Sequence, residues 1–378
     1  MRGALLLLVL LLWDRPMACQ VYRDAREQRL GYHGPGREQA EPRDLREVLI
    51  GYFGPPDARH PEGGTLWEGA QRAIEEANRE GGYKGLPFRL VPAWAENPWV
   101  AGAGVLVRLI YQERVWALIG SIDGASTHLA EQVVAKARLT LINPAASDRT
   151  LHGANVPWMF SCVPGDHLQA PLLVEALGGR PFLLVSATDH DSRAFVAELK
   201  ATPAFHIEFQ AGSSDVSALA RRVADTAPQA VVVIAGARDS ARMVAALRSL
   251  GCAAPILCGP SAGRRAFLEE AGPAAEGILF PWLLEGSGGD VRDYAAAHAY
   301  DATRLAVAAI RRAGLNRARI RDAVAELSGF AGVSGRISWD NLGQNTRAVR
   351  LGTIQGGRAV PASRQLSFGA IPRAFILR

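Results

Sequence analysis

The chain has 378 residues, 48% apolar and 21% charged, enough for two domains with substantial cores. Its net charge of +5 comes mostly from arginines spread along the chain. With no block of like charge and no interleaving of basic and aromatic residues, a nucleic-acid surface is not expected.

Arg2 precedes a short apolar run at 4–12, and the pattern through Met17-Ala18-Cys19 reads as a secretory signal over 1–19. Ala18-Cys19 resembles the end of a bacterial lipoprotein signal, which makes Cys19 a candidate for lipidation. Asp14-Arg15 and Pro16 depart from that pattern. Residues 20–46 are polar, lack apolar periodicity and read as an extended linker. No later stretch is apolar for long enough to cross a bilayer. Cys162, Cys252 and Cys258 form no CxxC or zinc spacing and read as free thiols, so neither a metal nor a cofactor is expected.

From Val48 onward strands alternate with helices. A strand at 48–52 is followed by a helix at 64–79, which stops at Gly81-Gly82. Next come a strand at 88–92, a helix at 99–112 and a strand at 115–119. Ser126 or Thr127 then opens a helix with Leu129, Val133, Val134 and Ala137 at helical spacing. A strand at 139–142 runs into Asn143-Pro144 and the loop Ala145, Ala146, Ser147, Asp148. The pattern breaks near 163–166 and restarts. Helices at 171–177, 191–200, 215–224, 240–250 and 264–271 alternate with strands at 182–186, 205–209, 230–235, 256–258 and 277–280. Helices at 290–313 and 320–327 and short strands at 335–339 and 349–355 complete the structure, and the tail from Pro361 has no clear period. Two α/β lobes follow, each doubly wound around a parallel sheet.

Two loops stand out because ligands bind beyond the carboxyl ends of strands in such sheets. One carries Asp123, Ser126 and Thr127; the other carries Ala145, Ala146 and Ser147. Small residues let a ligand approach backbone amides, and hydroxyls supply neutral hydrogen bonds. Ser126 and Thr127 read equally well as helix caps. Trp67, Trp94 and Trp99 are candidates for the cleft entrance, although Trp at such spacing is usually core. Residues 259–263 match GxSxG between a strand and a helix, the setting of a hydrolase nucleophile. The only downstream histidine is His298, within a helical stretch, and no oxyanion segment accompanies it. Phosphate-loop and dinucleotide signatures are missing too, so no enzyme is expected.

The segment GGTLWEGAQRAIEEANREGGYKGLPFRLV, 63–91, closely resembles the first helix and second strand of type I periplasmic solute-binding proteins. These include the leucine/isoleucine/valine and amide receptors of ABC transporters. IGSIDGAST, LINPAAS, CGPSAG, YDATRLAVAAI and SGFAGVSGRISWDNLGQN extend the resemblance over about 48–360 in matching order. It implies two Rossmann-like lobes joined by three hinge crossings, closing on ligand like a trap. The first lobe would comprise 47–165 with 282–340 and the second 166–281 with 341–360, leaving 361–378 as a tail.

The resemblance also implies roles. Ser126, Thr127, Ala145, Ala146 and Ser147 would hold a ligand's carboxylate and part of its amino group. His190 falls nearest the place of a residue that lies over the ligand. The loop where amino-acid receptors commonly supply a carboxylate for the amine carries Ser261 instead, a departure at a specificity position. Asp123 is the first candidate to replace it, ahead of Asp189, Asp191 and Asp239, with Asp191 also readable as a helix cap. The implied function is an extracytoplasmic receptor, in the periplasm or on the outer membrane face, for an amino acid, amide or small carboxylate. It would act as a monomer with ABC permease subunits, touching membrane only through a lipid anchor. A sensor without a transport role is the alternative.

Overall fold

The computed structural model describes residues 31–213, 215–285 and 293–363. The expected signal with Cys19, the start of the linker and most of the tail lie outside the described residues.

The first lobe is built on a parallel sheet in the order β2-β1-β3-β4-β5. Its strands are β1 (Val48–Phe53), β2 (Phe88–Ala93), β3 (Leu118–Gly120), β4 (Leu141–Asn143) and β5 (Met159–Ser161). Ile50, Phe53, Leu118, Ile119, Leu141 and Ile142 are completely buried, as strands covered on both faces require. Helix α1 (Gly64–Arg79) buries Leu66, Ala70, Ala73 and Ala77, one stripe at helical spacing. The expected helix at 99–112 is composite: an α-helical centre, α2 (Ala103–Val107), lies between wider π turns at Pro98–Gly102 and Arg108–Gln112. Helix α3 (Gly124–Ala137) follows β3.

The second lobe contains a sheet in the order β14-β13-β10-β9-β8-β6-β7. Five strands are parallel: β6 (Leu183–Ala187), β7 (Phe205–Phe209), β8 (Val231–Ile234), β9 (Ile256–Cys258) and β10 (Leu279–Trp282). Its helices are α4 (Asp166–Leu177), α5 (His190–Leu199), α6 (Ser217–Asp225), α7 (Ala237–Ser249) and α8 (Arg265–Ala271). Helix α4 starts five residues before the expected position because Pro171 sits within it, at the cost of a single amide donor.

The chain then returns to the first lobe as α9 (Tyr294–Ala313) and α10 (Arg317–Glu326). Helix α9 lies along α1, and Gly69 makes this possible: a Cβ there would sit 2.2 Å from the Ala296 carbonyl oxygen. A small ribbon pairs β11 (Phe330–Gly332) with β12 (Gly335–Ile337). Strands β13 (Arg350–Gln355) and β14 (Arg358–Pro361) close the second sheet as an antiparallel edge. Three times, therefore, the chain passes from one lobe to the other: at 162–165, between β10 and α9, and at 338–349. Among the described residues, no helix is long and apolar enough to cross a membrane.

The described part of the expected linker is docked rather than extended. Asn316 Nδ2 donates to the carbonyls of Gly36 (2.8 Å) and Gln39 (3.0 Å), and Arg37 pairs with Asp322 at 2.7 Å. Glu41 accepts from the Tyr83 hydroxyl at 2.8 Å and pairs with Lys84 at 3.0 Å. Polar residues hold this segment to the first lobe, which explains why it carries no apolar period. Cys162, Cys252 and Cys258 are free thiols.

Candidate functional site

A cleft of about 560 Å³ lies where the carboxyl-terminal loops of the two sheets face each other. From the first lobe it is lined by Glu62, Ile122, Asp123, Ala125, Ala145 and Ser147. The second lobe contributes Asp166, Asp189, His190, Asp191, Arg238, Asp239, Arg242, Ser261 and Arg264, with Tyr294 beside them.

Asp123, Ala145, Ser147, His190 and Ser261 of the expected residues therefore reach the cleft, whereas Ser126, Thr127 and Ala146 are buried behind it. Asp123 is the N-cap of α3 and accepts from the Ser126 amide at 2.7 Å. The Ser126 hydroxyl bonds Ser121 Oγ at 2.7 Å and Asp123 Oδ1 at 2.5 Å. The Thr127 hydroxyl donates to the Asp123 carbonyl at 2.6 Å and accepts from the Ser121 amide at 3.1 Å. These hydroxyls shape the loop instead of facing a ligand. The Ala145 and Ala146 amides are taken by Asn143 Oδ1 at 3.1 and 2.9 Å. Trp67 packs on Tyr52 and Trp94 on Phe53, while Trp99 is exposed away from the cleft.

The lobes touch across the cleft. The Gly124 amide donates to Asp191 Oδ1 at 2.8 Å, so Asp191 is not a cap; Asp189 caps α5 by accepting from the Ser192 amide at 2.9 Å. His190 Nε2 lies 2.7 Å from Asp148 Oδ2, and Arg149 lies 3.5 Å from Glu198. Arg264, 5% exposed, pairs with Asp293 at 3.2 Å and Glu62 at 3.7 Å, and also donates to the Glu62 carbonyl at 2.6 Å.

The electrostatics are dominated by enclosed carboxyl groups. Asp166 is pushed up to about 7 by its complete burial, against a hydrogen bond from the Ser147 hydroxyl, and its Oδ1 has no partner. Desolvation and the neighbouring Asp123 push Asp191 well above the usual carboxylate range. Among the described residues, none of Asp123, Asp166 and Asp191 forms an ion pair. Asp148 behaves oppositely. Its burial alone would raise it, but bonds from His128, the Thr150 amide and His190 hold it below the ordinary carboxylate range. The same contact with Asp148, aided by Glu131, lifts His128 to about 9. Sequence reasoning missed Asp166, His128 and Asp148 as a group, since only the fold brings their separate segments together.

Among the described residues, the GxSxG serine has no catalytic partner. The Ser261 hydroxyl donates to the Ala235 carbonyl at 2.7 Å, while His298 is fully buried 3.4 Å from Arg347.

The periplasmic binding protein family profile matches residues 54–359. No curated protein sequence gives a significant match. Among solved structures, the chain is similar to the branched-chain amino acid transporter substrate binding protein LivJ from Streptococcus pneumoniae in complex with isoleucine. That match has 22% identity, covers 84% of this chain and 99% of the other, and has a TM-score of 0.75. The leucine binding protein LivK from Thermotoga maritima matches at 22% identity over 84% and 98% of the two chains, with a TM-score of 0.72. An ABC transporter substrate-binding protein from Desulfitobacterium hafniense in complex with Leu matches at 20% over 84% and 100%, with a TM-score of 0.67. With the fold, the two-lobed cleft and a profile covering most of its length in agreement, the chain belongs to the periplasmic binding protein family.

Proposed function

We propose that the chain is an extracytoplasmic receptor for an amine-bearing solute, an amino acid in the first place, taken between the two lobes and delivered to an ABC importer. One observation carries this reading: Asp123, Asp166 and Asp191 line the cleft without a cationic partner among the described residues, whereas Arg264 and Arg242 are already paired with Asp293 and Asp239. Enclosed carboxyl groups are costly unless a positive charge or several donors meet them. An ammonium supplies both. Arg238 lines the same cleft and offers a positive charge to a carboxylate. The cleft volume lies within the range of small-molecule sites. The isoleucine and leucine bound to two relatives of this fold are compatible with the same choice. A monomer working with permease subunits, tethered through a lipidated Cys19, belongs to the same proposal.

A thermal-shift screen with amino acids, amides, amines and small carboxylates tests it, because a ligand that binds only the native state raises Tm with its concentration. Amine-bearing solutes are expected to raise Tm and carboxylates without an amine are not. An equal shift from a simple carboxylate would overturn the reading.

A further inference from the structure

The two lobes meet at a cluster that the solute reading does not use. His128 on α3 and Asp148 after β4 come from the first lobe, and His190 at the start of α5 comes from the second. His128 Nε2 lies 3.0 Å and His190 Nε2 2.7 Å from the same oxygen, Asp148 Oδ2. One donor atom from each of the three falls within 4.8 Å of the others. We propose that His128, Asp148 and His190 form a Zn2+ site that bridges the lobes at the edge of the cleft.

The donor set selects the ion. Two imidazole nitrogens and one carboxylate oxygen suit Zn2+, whereas Ca2+ and Mg2+ require shells of oxygen. Ligand bonds of about 2.0–2.2 Å at a tetrahedral angle place donor atoms roughly 3.3 Å apart. The observed N···O distances need to widen by well under about 1 Å to admit the ion. Water fills the fourth position.

A second observation points the same way. Glu131, 3% exposed, sits one helical turn beyond His128, with Oε2 3.7 Å from Nδ1 and Oε1 without a partner. A carboxylate behind the far ring nitrogen is the arrangement that fixes a metal-bound imidazole's tautomer and orientation. Closing that 3.7 Å gap to a hydrogen bond would let Glu131 direct the Nε2 lone pair of His128 towards the ion. Because only His190 comes from the second lobe, the bound ion ties the lobes together and favours the closed cleft.

The test is a calorimetric titration of the tag-free, chelator-treated chain with ZnCl2 in the absence of solute. One saturable site per chain is expected. His128→Ala, Asp148→Asn and His190→Ala should each weaken it by more than tenfold, and Glu131→Gln by about tenfold. The radius measured by solution scattering should fall on Zn2+ addition in the parent and not in His190→Ala. His190 is a half-exposed helix-start residue, so that variant keeps its fold, checked by an unchanged Tm without metal. Absence of saturable binding, unchanged affinity in the three ligand variants, or a parent radius that ignores Zn2+ would overturn the proposal. The titration contains no solute, so its failure and that of the amino-acid reading are separate results.

Discussion

The Gly124 amide of the first lobe donates to Asp191 Oδ1 of the second at 2.8 Å, and a Cβ at position 124 would lie 2.4 Å from that same oxygen. The lobes approach this closely only because residue 124 has no side chain. Gly124→Val should wedge them apart, raising the radius measured by solution scattering. Asp191→Ala removes the bond without adding bulk, at a cost of about 1 kcal/mol of interlobe contact. It should open the cleft less than the valine does.

Asp166 makes the solute-free protein less stable as pH rises. Its folded pKa of about 7 lies above the ordinary value of 3.8, so the native state holds the extra proton between those limits. The stabilising contribution is complete below about pH 4 and is lost as pH climbs through 7, by at most about 4 kcal/mol. Urea denaturation from pH 4 to 8 should show this decline, and Asp166→Asn should flatten it.

Thr127 and Ser147 separate shaping a loop from meeting a solute. Thr127→Ala leaves the buried Ser121 amide without its acceptor, which should destabilise the fold by about 1–3 kcal/mol. Ser147→Ala takes a hydrogen bond from the buried Asp166 carboxyl and should cost about 1–3 kcal/mol as well. It should also weaken the solute found by thermal shift several-fold, read by calorimetry.

Ser261 is committed to the Ala235 carbonyl. Hydrolysis of an activated ester should proceed at the background rate in the parent and in Ser261→Ala alike. Turnover lost on that substitution would contradict the binding assignment.

Much of the architecture was legible because buried parallel strands and amphipathic helices leave strong periods, as at 48–53 and 64–79. What escaped were elements too short to carry a period. β5 and β11 have three residues each, and β14 has four that end at Pro361, where the tail begins. At the site, the two strand-end loops were readable, yet their hydroxyls turned inward. Ser126 and Thr127 sit at adjacent positions at the start of α3, and the winding of the helix carries both beneath the loop. Asp166 was hidden by its place in a break of pattern. Its character arises from burial, which no neighbour in sequence reveals. The His128–Asp148–His190 cluster depends on two lobes meeting and has no local signature.

The docking of residues 36–41 against α10 and Tyr83 has a mechanical consequence. Any pull exerted through the chain ahead of Gly36 is borne by the first lobe, not shared between the two. In the proposed closure on solute, that half is the stationary jaw, and the other, joined to it by backbone crossings, is the one that moves. A leash at this end would therefore constrain where the protein sits without slowing its bite.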